Sequence, residues 1–279
     1  MRRAVLGGVL TVVAATGVAL GLRAWLDSRA PTVPLTVPTA AGDAVRGRHL
    51  VDHVLACGAC HAADLGGAWV EGGLLGRVWA PNLTNGDGGR ERSALAWVRA
   101  LRRGEDERGG ALALMPATRW AVLAEADMAD VLAALRALPP VDRAAPESAR
   151  FPLGWWMGLA GRSGPTEPPP AVVEARPDAE YGRYLATIAG CHDCHGAAFR
   201  GRDGTLGRAP GIVPRLDAAF AGARFADALL RGRGGDGRVL SPVMPWPYHA
   251  GLTDTEVDAL WQRVRRLAGV EGTDGVPVP

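Results

Sequence analysis

Two pentapeptides with the same spacing hold every cysteine of the chain: Cys57-Gly58-Ala59-Cys60-His61 and Cys191-His192-Asp193-Cys194-His195. Cysteines three positions apart lie on one side of a helical turn, so both thiols of a pair can reach the vinyl groups of one porphyrin. The imidazole that follows can ligate the iron from the same face, which is the pattern of a c-type haem attachment site. Competing chemistries account for less. A zinc site built from the two pairs leaves the repeated histidine without a role. A redox dithiol belongs on a strand–helix–strand pattern that the flanking sequence lacks, and disulfides do not call for a histidine after each pair. Cys57, Cys60, Cys191 and Cys194 are therefore expected to hold two covalently bound haem c groups, with His61 and His195 as iron ligands.

The motifs head two copies of one unit. Gly47-Arg48-His49-Leu50 precedes the first pair as Gly182-Arg183-Tyr184-Leu185 precedes the second. Pro81-Asn82-Leu83 begins 20 residues after His61, and Pro214-Arg215-Leu216 begins 19 after His195. Trp97 to Gly104 then matches Phe225 to Gly232, and Met115-Pro116 matches Met244-Pro245. Closing helices are predicted over Glu125–Leu138 and Asp254–Leu267, the second opened by a capping box at Thr253 and Glu256.

A thioether opposite the histidine raises the potential of a haem iron and suits an electron carrier. Of the 5 methionines, Met1 is the start, Met128 lies in a closing helix where the other copy has Val257, and Met157 falls between the copies. Met115 and Met244 remain, at equivalent places, as the second axial ligands. The rival histidines are His49, His53, His192 and His249. His49 is replaced by Tyr184 in the other copy, His192 sits between two tethered cysteines, and neither His53 nor His249 has a histidine at the corresponding repeat position. All four are expected to be surface or packing residues. A backbone carbonyl near Pro81 and near Pro214 is expected to accept the other ring N–H of each iron-ligating histidine, although turn geometry alone also accounts for those prolines.

The elements that must position these groups follow from composition. The 279 residues are 48% apolar and include 9 Trp, which excludes a wholly disordered chain, and a net charge of +2 leaves no nucleic-acid footprint. With 38 Gly and 21 Pro, short helices joined by long loops fit better than a continuous bundle. Arg2 and Arg3 precede an uncharged, mostly apolar run from Ala4 to Leu22, about 28 Å long as a helix. That length reads as a membrane anchor, with a cleaved signal peptide as the competing reading through Gly17-Val18-Ala19. Either reading leaves the chain beyond residue 30 outside the cytoplasm. The expected organisation is an anchor or signal segment over 1–29, a Pro-rich linker over 30–42, units over 43–141 and 171–269, a strap over 142–170 and a tail over 270–279.

These units resemble the mono-haem cytochrome c domain used twice. More narrowly, Ala80-Pro81-Asn82-Leu83-Thr84, Val98-Arg99-Ala100-Leu101, Met115-Pro116 and Ala133 to Pro140 resemble the membrane-associated multihaem cytochrome c subunits of bacterial alcohol and sugar-acid dehydrogenases, over most of 43–269. That family usually carries three haems, and this chain has two motifs. The resemblance implies an all-α fold of two tandem cytochrome c domains. It also implies a non-enzymatic role on the periplasmic side of the bacterial inner membrane, passing electrons from a dehydrogenase catalytic subunit toward a respiratory acceptor. A haem subunit of a terminal oxidase is the alternative, and a di-haem peroxidase a more distant one, because an iron closed on both faces leaves no position for a substrate.

Overall fold

The structure, a computed structural model, describes residues 13, 14, 16–22, 33–71, 77–89, 91–110, 112, 114–146, 167–204, 207–213 and 222–269. Among them no helix is long and apolar enough to cross a membrane. Most of the anchor segment, the Trp155-Trp156 strap and the loop at Pro214 lie outside the described residues.

In the first half, Asp43 caps α1 (Ala44–His49) by accepting hydrogen bonds from the Val45 and Arg46 N–H groups. The helix widens into one π-helical turn over Leu50–Val54 and leads to α2 (Gly58–His61), which carries the first motif. A hairpin of β1 (Ala68–Glu71) and β2 (Arg77–Ala80) follows, pairing Trp69 with Trp79. Then come α3 (Ala94–Arg103), α4 (Ala117–Trp120) and α5 (Glu125–Arg136). The second half repeats this order as α6 (Ala179–Ile188), α7 (Cys191–His195), β3 (Gly201–Gly204) with β4 (Gly207–Pro210), α8 (Gly222–Leu230), α9 (Trp246–His249) and α10 (Asp254–Ala268). The fold is thus mostly helical, but the all-α expectation needs correcting for two antiparallel hairpins, one after each motif. The closing helices end at Arg136 and Ala268, within two residues of their predicted limits.

Equivalent residues do equivalent work in the two halves. Gly47 on α1 faces the Asp130 carbonyl of α5, and Gly182 on α6 faces the Ala259 carbonyl of α10, each so closely that a Cβ would overlap the carbonyl. The first and last helices of each half therefore cross with backbone against backbone. Gly104 and Gly232 end α3 and α8 in left-handed backbone, at φ 61° and 62°, which a side chain would disfavour. The Thr253–Glu256 capping box at α10 forms as predicted. By contrast α5 begins at Ala124, which offers no side-chain cap. Its exposed N–H groups are taken instead by the Pro-rich strap: Glu125 donates to the Pro170 carbonyl at 2.9 Å and Ala126 to the Ala171 carbonyl at 3.0 Å.

The two halves share one apolar core. Leu50, Val54, Leu123 and Met128 join Leu185, Ile188, Ala226 and Val257 in a single cluster, and Met128 and Val257 are both fully buried. The contact between halves is close to a two-fold exchange of like positions. Tyr184 on α6 donates to Asp127 of α5 at 2.5 Å, and its repeat counterpart His49 pairs with Glu256 of α10 at 2.9 Å. Trp120 of α4 donates to the Ile188 carbonyl at 3.0 Å, and the equivalent His249 of α9 donates to the His53 carbonyl at 2.8 Å.

The His49–Glu256 pair makes this contact sensitive to pH. The hydrogen bond to Glu256 raises the His49 pKa against the opposing effect of burial. Burial would raise the Glu256 carboxyl, but His49 and the Thr253 N–H outweigh it and the net direction is down. The stability His49 contributes is complete below its ordinary value near 6.5 and is lost as pH rises through the raised value. The part from Glu256 is present above about 4.5 and is lost as pH falls through the lowered value. Melting temperature should therefore be highest between about pH 4.5 and 6.5. His49→Gln should flatten the decline above that window, by on the order of 1 kcal/mol for a pair in which His49 is a quarter exposed and Glu256 is buried. A melting profile unchanged by the substitution would contradict this.

Candidate functional site

Each motif forms one short helix ending on its histidine, and each is followed by a loop in left-handed backbone. Ala62 after His61 and Gly196 after His195 have φ 66° and 77°, and Leu65 and Phe199, four residues beyond each histidine, have φ 59° and 53°. Those loops bring the hairpins back to the imidazoles. His61 donates from Nδ1 to the Pro81 carbonyl at 2.8 Å, and His195 donates from Nδ1 to the Pro210 carbonyl at 2.9 Å. A carbonyl only accepts, so the proton sits on Nδ1 and Nε2 carries a free lone pair. Among the described residues neither Nε2 has a hydrogen-bonding partner. His61 is 7% exposed, and burial lowers its pKa despite the Pro81 carbonyl, favouring the neutral ligating form. The Phe199 ring lies parallel to His195 at a centroid distance of 6.4 Å.

The expectation for the first histidine holds, with Pro81 as the acceptor. For the second, Pro210 takes the place expected for Pro214. The second hairpin is shorter, so counting residues from His195 overshoots it. The signal that finds the acceptor is the dipeptide at the end of each hairpin, Ala80-Pro81 and Ala209-Pro210. The Leu83 N–H bonds the Leu65 carbonyl and the Ile212 N–H bonds the Phe199 carbonyl, both at 2.8 Å, so the loops are the same in kind. In the first, buried Asn82 adds a brace, donating to the Val141 carbonyl at 2.7 Å and accepting from the Thr84 N–H at 2.8 Å.

All four thiols are unpaired. Burial pushes the Cys57 thiol up to about 12 and the Cys191 thiol to about 11, so both are neutral and shielded. Cys191 shares a small apolar cleft with Leu185, Leu229, Leu252 and Leu260. Met115 and Met244 are half-buried against the core and sit in loops built alike. The Leu112 and Leu240 N–H groups bond the Gly104 and Gly232 carbonyls at 2.6 Å, and the Ala117 and Trp246 N–H groups bond the Met115 and Met244 carbonyls at 2.8 Å. Pro116 and Pro245 then start α4 and α9.

The donor set fits haem: in each half two thiols one turn apart, an oriented imidazole with an open Nε2, and a thioether on a matching loop. A buried donor adds to the fit. Among the described residues the Trp79 Nε1 donor has no hydrogen-bonding partner, a state that suits a carboxylate such as a porphyrin propionate. The rival histidines are otherwise occupied or unsuited. His49 pairs with Glu256, His53 donates to the Tyr248 carbonyl at 2.8 Å, His249 is bonded to the His53 carbonyl, and His192 packs edge-on against Phe199. They prove to be packing residues, three of them at the contact between halves. A cavity of about 710 Å³ between Pro168–Pro170 and Tyr181 has no motif residue in its lining.

No family model matches the chain. Over 252 residues it is 31% identical to a protein of Cereibacter sphaeroides named "Diheme cytochrome c-type", covering 78% of this chain and 81% of that one. Over 122 residues it is 34% identical to the fructose dehydrogenase cytochrome subunit of Gluconobacter japonicus, covering 37% of this chain and 24% of that protein. With paired motifs, two oriented imidazoles and a similarity that runs through most of both sequences, the chain belongs to the di-haem c-type cytochromes.

Proposed function

We propose that this electron-transfer protein holds one haem through Cys57, Cys60, His61 and Met115 and a second through Cys191, Cys194, His195 and Met244. In this reading it passes electrons from a dehydrogenase catalytic subunit toward a respiratory acceptor. The observation that carries the proposal is the pair of Nδ1–carbonyl bonds, which leave both Nε2 atoms free beside two cysteines. When bound, each haem supplies a one-electron iron couple. The chain's part is to hold each imidazole in one tautomer, to present a thioether from the α4 or α9 loop, and to keep water from the thiols and His61. An imidazole and a thioether given to each iron would leave no position for a substrate, so the chain acts as a carrier rather than an enzyme. The likeness to a fructose dehydrogenase cytochrome subunit supports a dehydrogenase as donor over an oxidase setting. The run from Ala4 to Leu22 supports attachment to the inner membrane, with the two haem-binding units, taken as 43–141 and 171–269, on its periplasmic side.

The test is a haem count and a ligand-binding spectrum on the purified full chain. Two covalent haems per chain, neither binding carbon monoxide rapidly when reduced, are expected. One haem, or rapid binding at either iron, overturns the proposal.

A further inference from the structure

One pair of equivalent positions across the contact differs in charge. Arg119 stands four residues after Met115, and Tyr248 four after Met244. Both reach across to the other half's cysteine motif. The Arg119 guanidinium packs against Gly190, the residue before Cys191, where any Cβ would collide with it. It also pairs with Asp193 at 2.8 Å, inside the second motif. The Tyr248 ring packs over Gly58, inside the first motif, with Cε1 3.0 Å from the place of a Cβ. The places match and the chemistry does not: at this position the second motif meets a permanent cation and the first a neutral phenol, although Arg92 acts on His61 and Arg48 on Cys57 of the first motif from elsewhere.

We propose that Arg119 biases the two redox sites against each other, drawing the electron toward the second half. The inference rests on the haem assignment above. A site that gains an electron loses one positive charge, and no atom or proton need move. A nearby cation therefore favours the reduced form and a nearby anion disfavours it. Arg119 and Asp193 oppose each other there, but the Arg119 side chain is 26% exposed and that of Asp193 is 56% exposed. Water screens the anion more, and the cation prevails. Arg119 also acts on Cys60 of the first motif, but it packs directly only on the second. Electrons delivered to the first half by an outside donor are thereby drawn onward within the chain.

The experiment is a spectroscopically monitored redox titration of the full-length, haem-loaded protein. Its two steps are assigned beforehand by Met244→Ala, which displaces the second-half step. Arg119→Gln should lower the second-half step more than the first, moving the partition of one electron between the halves roughly tenfold toward the first. Arg119→Lys, which keeps the charge, should restore most of the difference, and Asp193→Asn should raise the second-half step. Equal shifts of both steps, or none, in Arg119→Gln overturn the proposal. Haem content is read on the same samples. Two haems with unmoved steps sink this inference alone, whereas fewer than two in the unsubstituted protein sink the assignment it rests on.

Discussion

Met244→Ala is expected to leave two porphyrins attached while one of the two redox steps falls by on the order of 0.1 V, within the span of about 0.8 V that axial ligands open to haem. Attachment depends on thiols and survives, whereas the soft thioether favours the reduced iron more than any oxygen ligand that would replace it. Met115→Ala should lower the other step by a similar amount. In the double substitution the weak sulfur-to-iron absorption at the red end of the oxidised spectrum should vanish. The loops predict near-equality of the two effects, because both methionines hang from the same short bond to a left-handed glycine and precede the same proline-started helix. Persistence of the sulfur band in the double variant would place the axial ligands elsewhere. Rapid carbon monoxide binding should appear only in the substituted half.

Gly47→Ala and Gly182→Ala should each cost about 3 kcal/mol or more, the range for forcing atoms into a closed contact. The obstacle at each is a helix carbonyl, of Asp130 or Ala259, which cannot move aside as a flexible side chain would. The only relief is to separate the crossing helices, which loosens Leu50, Val131, Leu185 and Val264 behind them. At roughly 2–4 °C per kcal/mol for a protein of this size, the melting temperature should fall by about 6–12 °C. Because one core runs through both halves, either substitution should lower a single shared transition. Two separate transitions, with only the substituted half affected, would show that the halves are energetically independent. An unchanged melting temperature would show that the helices part at little cost.

Much of the site was legible without coordinates. The cysteine pairs, the histidines after them and the two surviving methionines follow from residue type and repeat position, and the structure gives each a matching local setting. Gly104 and Gly232, aligned by the repeat, share their left-handed geometry, and Thr253 with Glu256 makes the predicted cap. The hairpins were missed because each strand is only four residues long, below the length at which alternation is a usable signal. Pro210 was missed because a shortened hairpin shifts the count from the histidine without changing the bond. The partners of His49, His53 and His249 were not legible because they lie about 200 residues away.

What the sequence determined by itself is the chemistry: covalent attachment and iron ligation depend on which atoms recur at fixed short spacing, and that spacing is written in the chain. What only the tertiary structure decided is the environment of that chemistry. Which carbonyl orients His195, which strap residues cap α5, and which motif meets the Arg119 cation all depend on how distant segments pack. The physical reason is range. A helical turn brings together residues three and four apart on its own, but a contact between halves forms only when one shared core has closed around both.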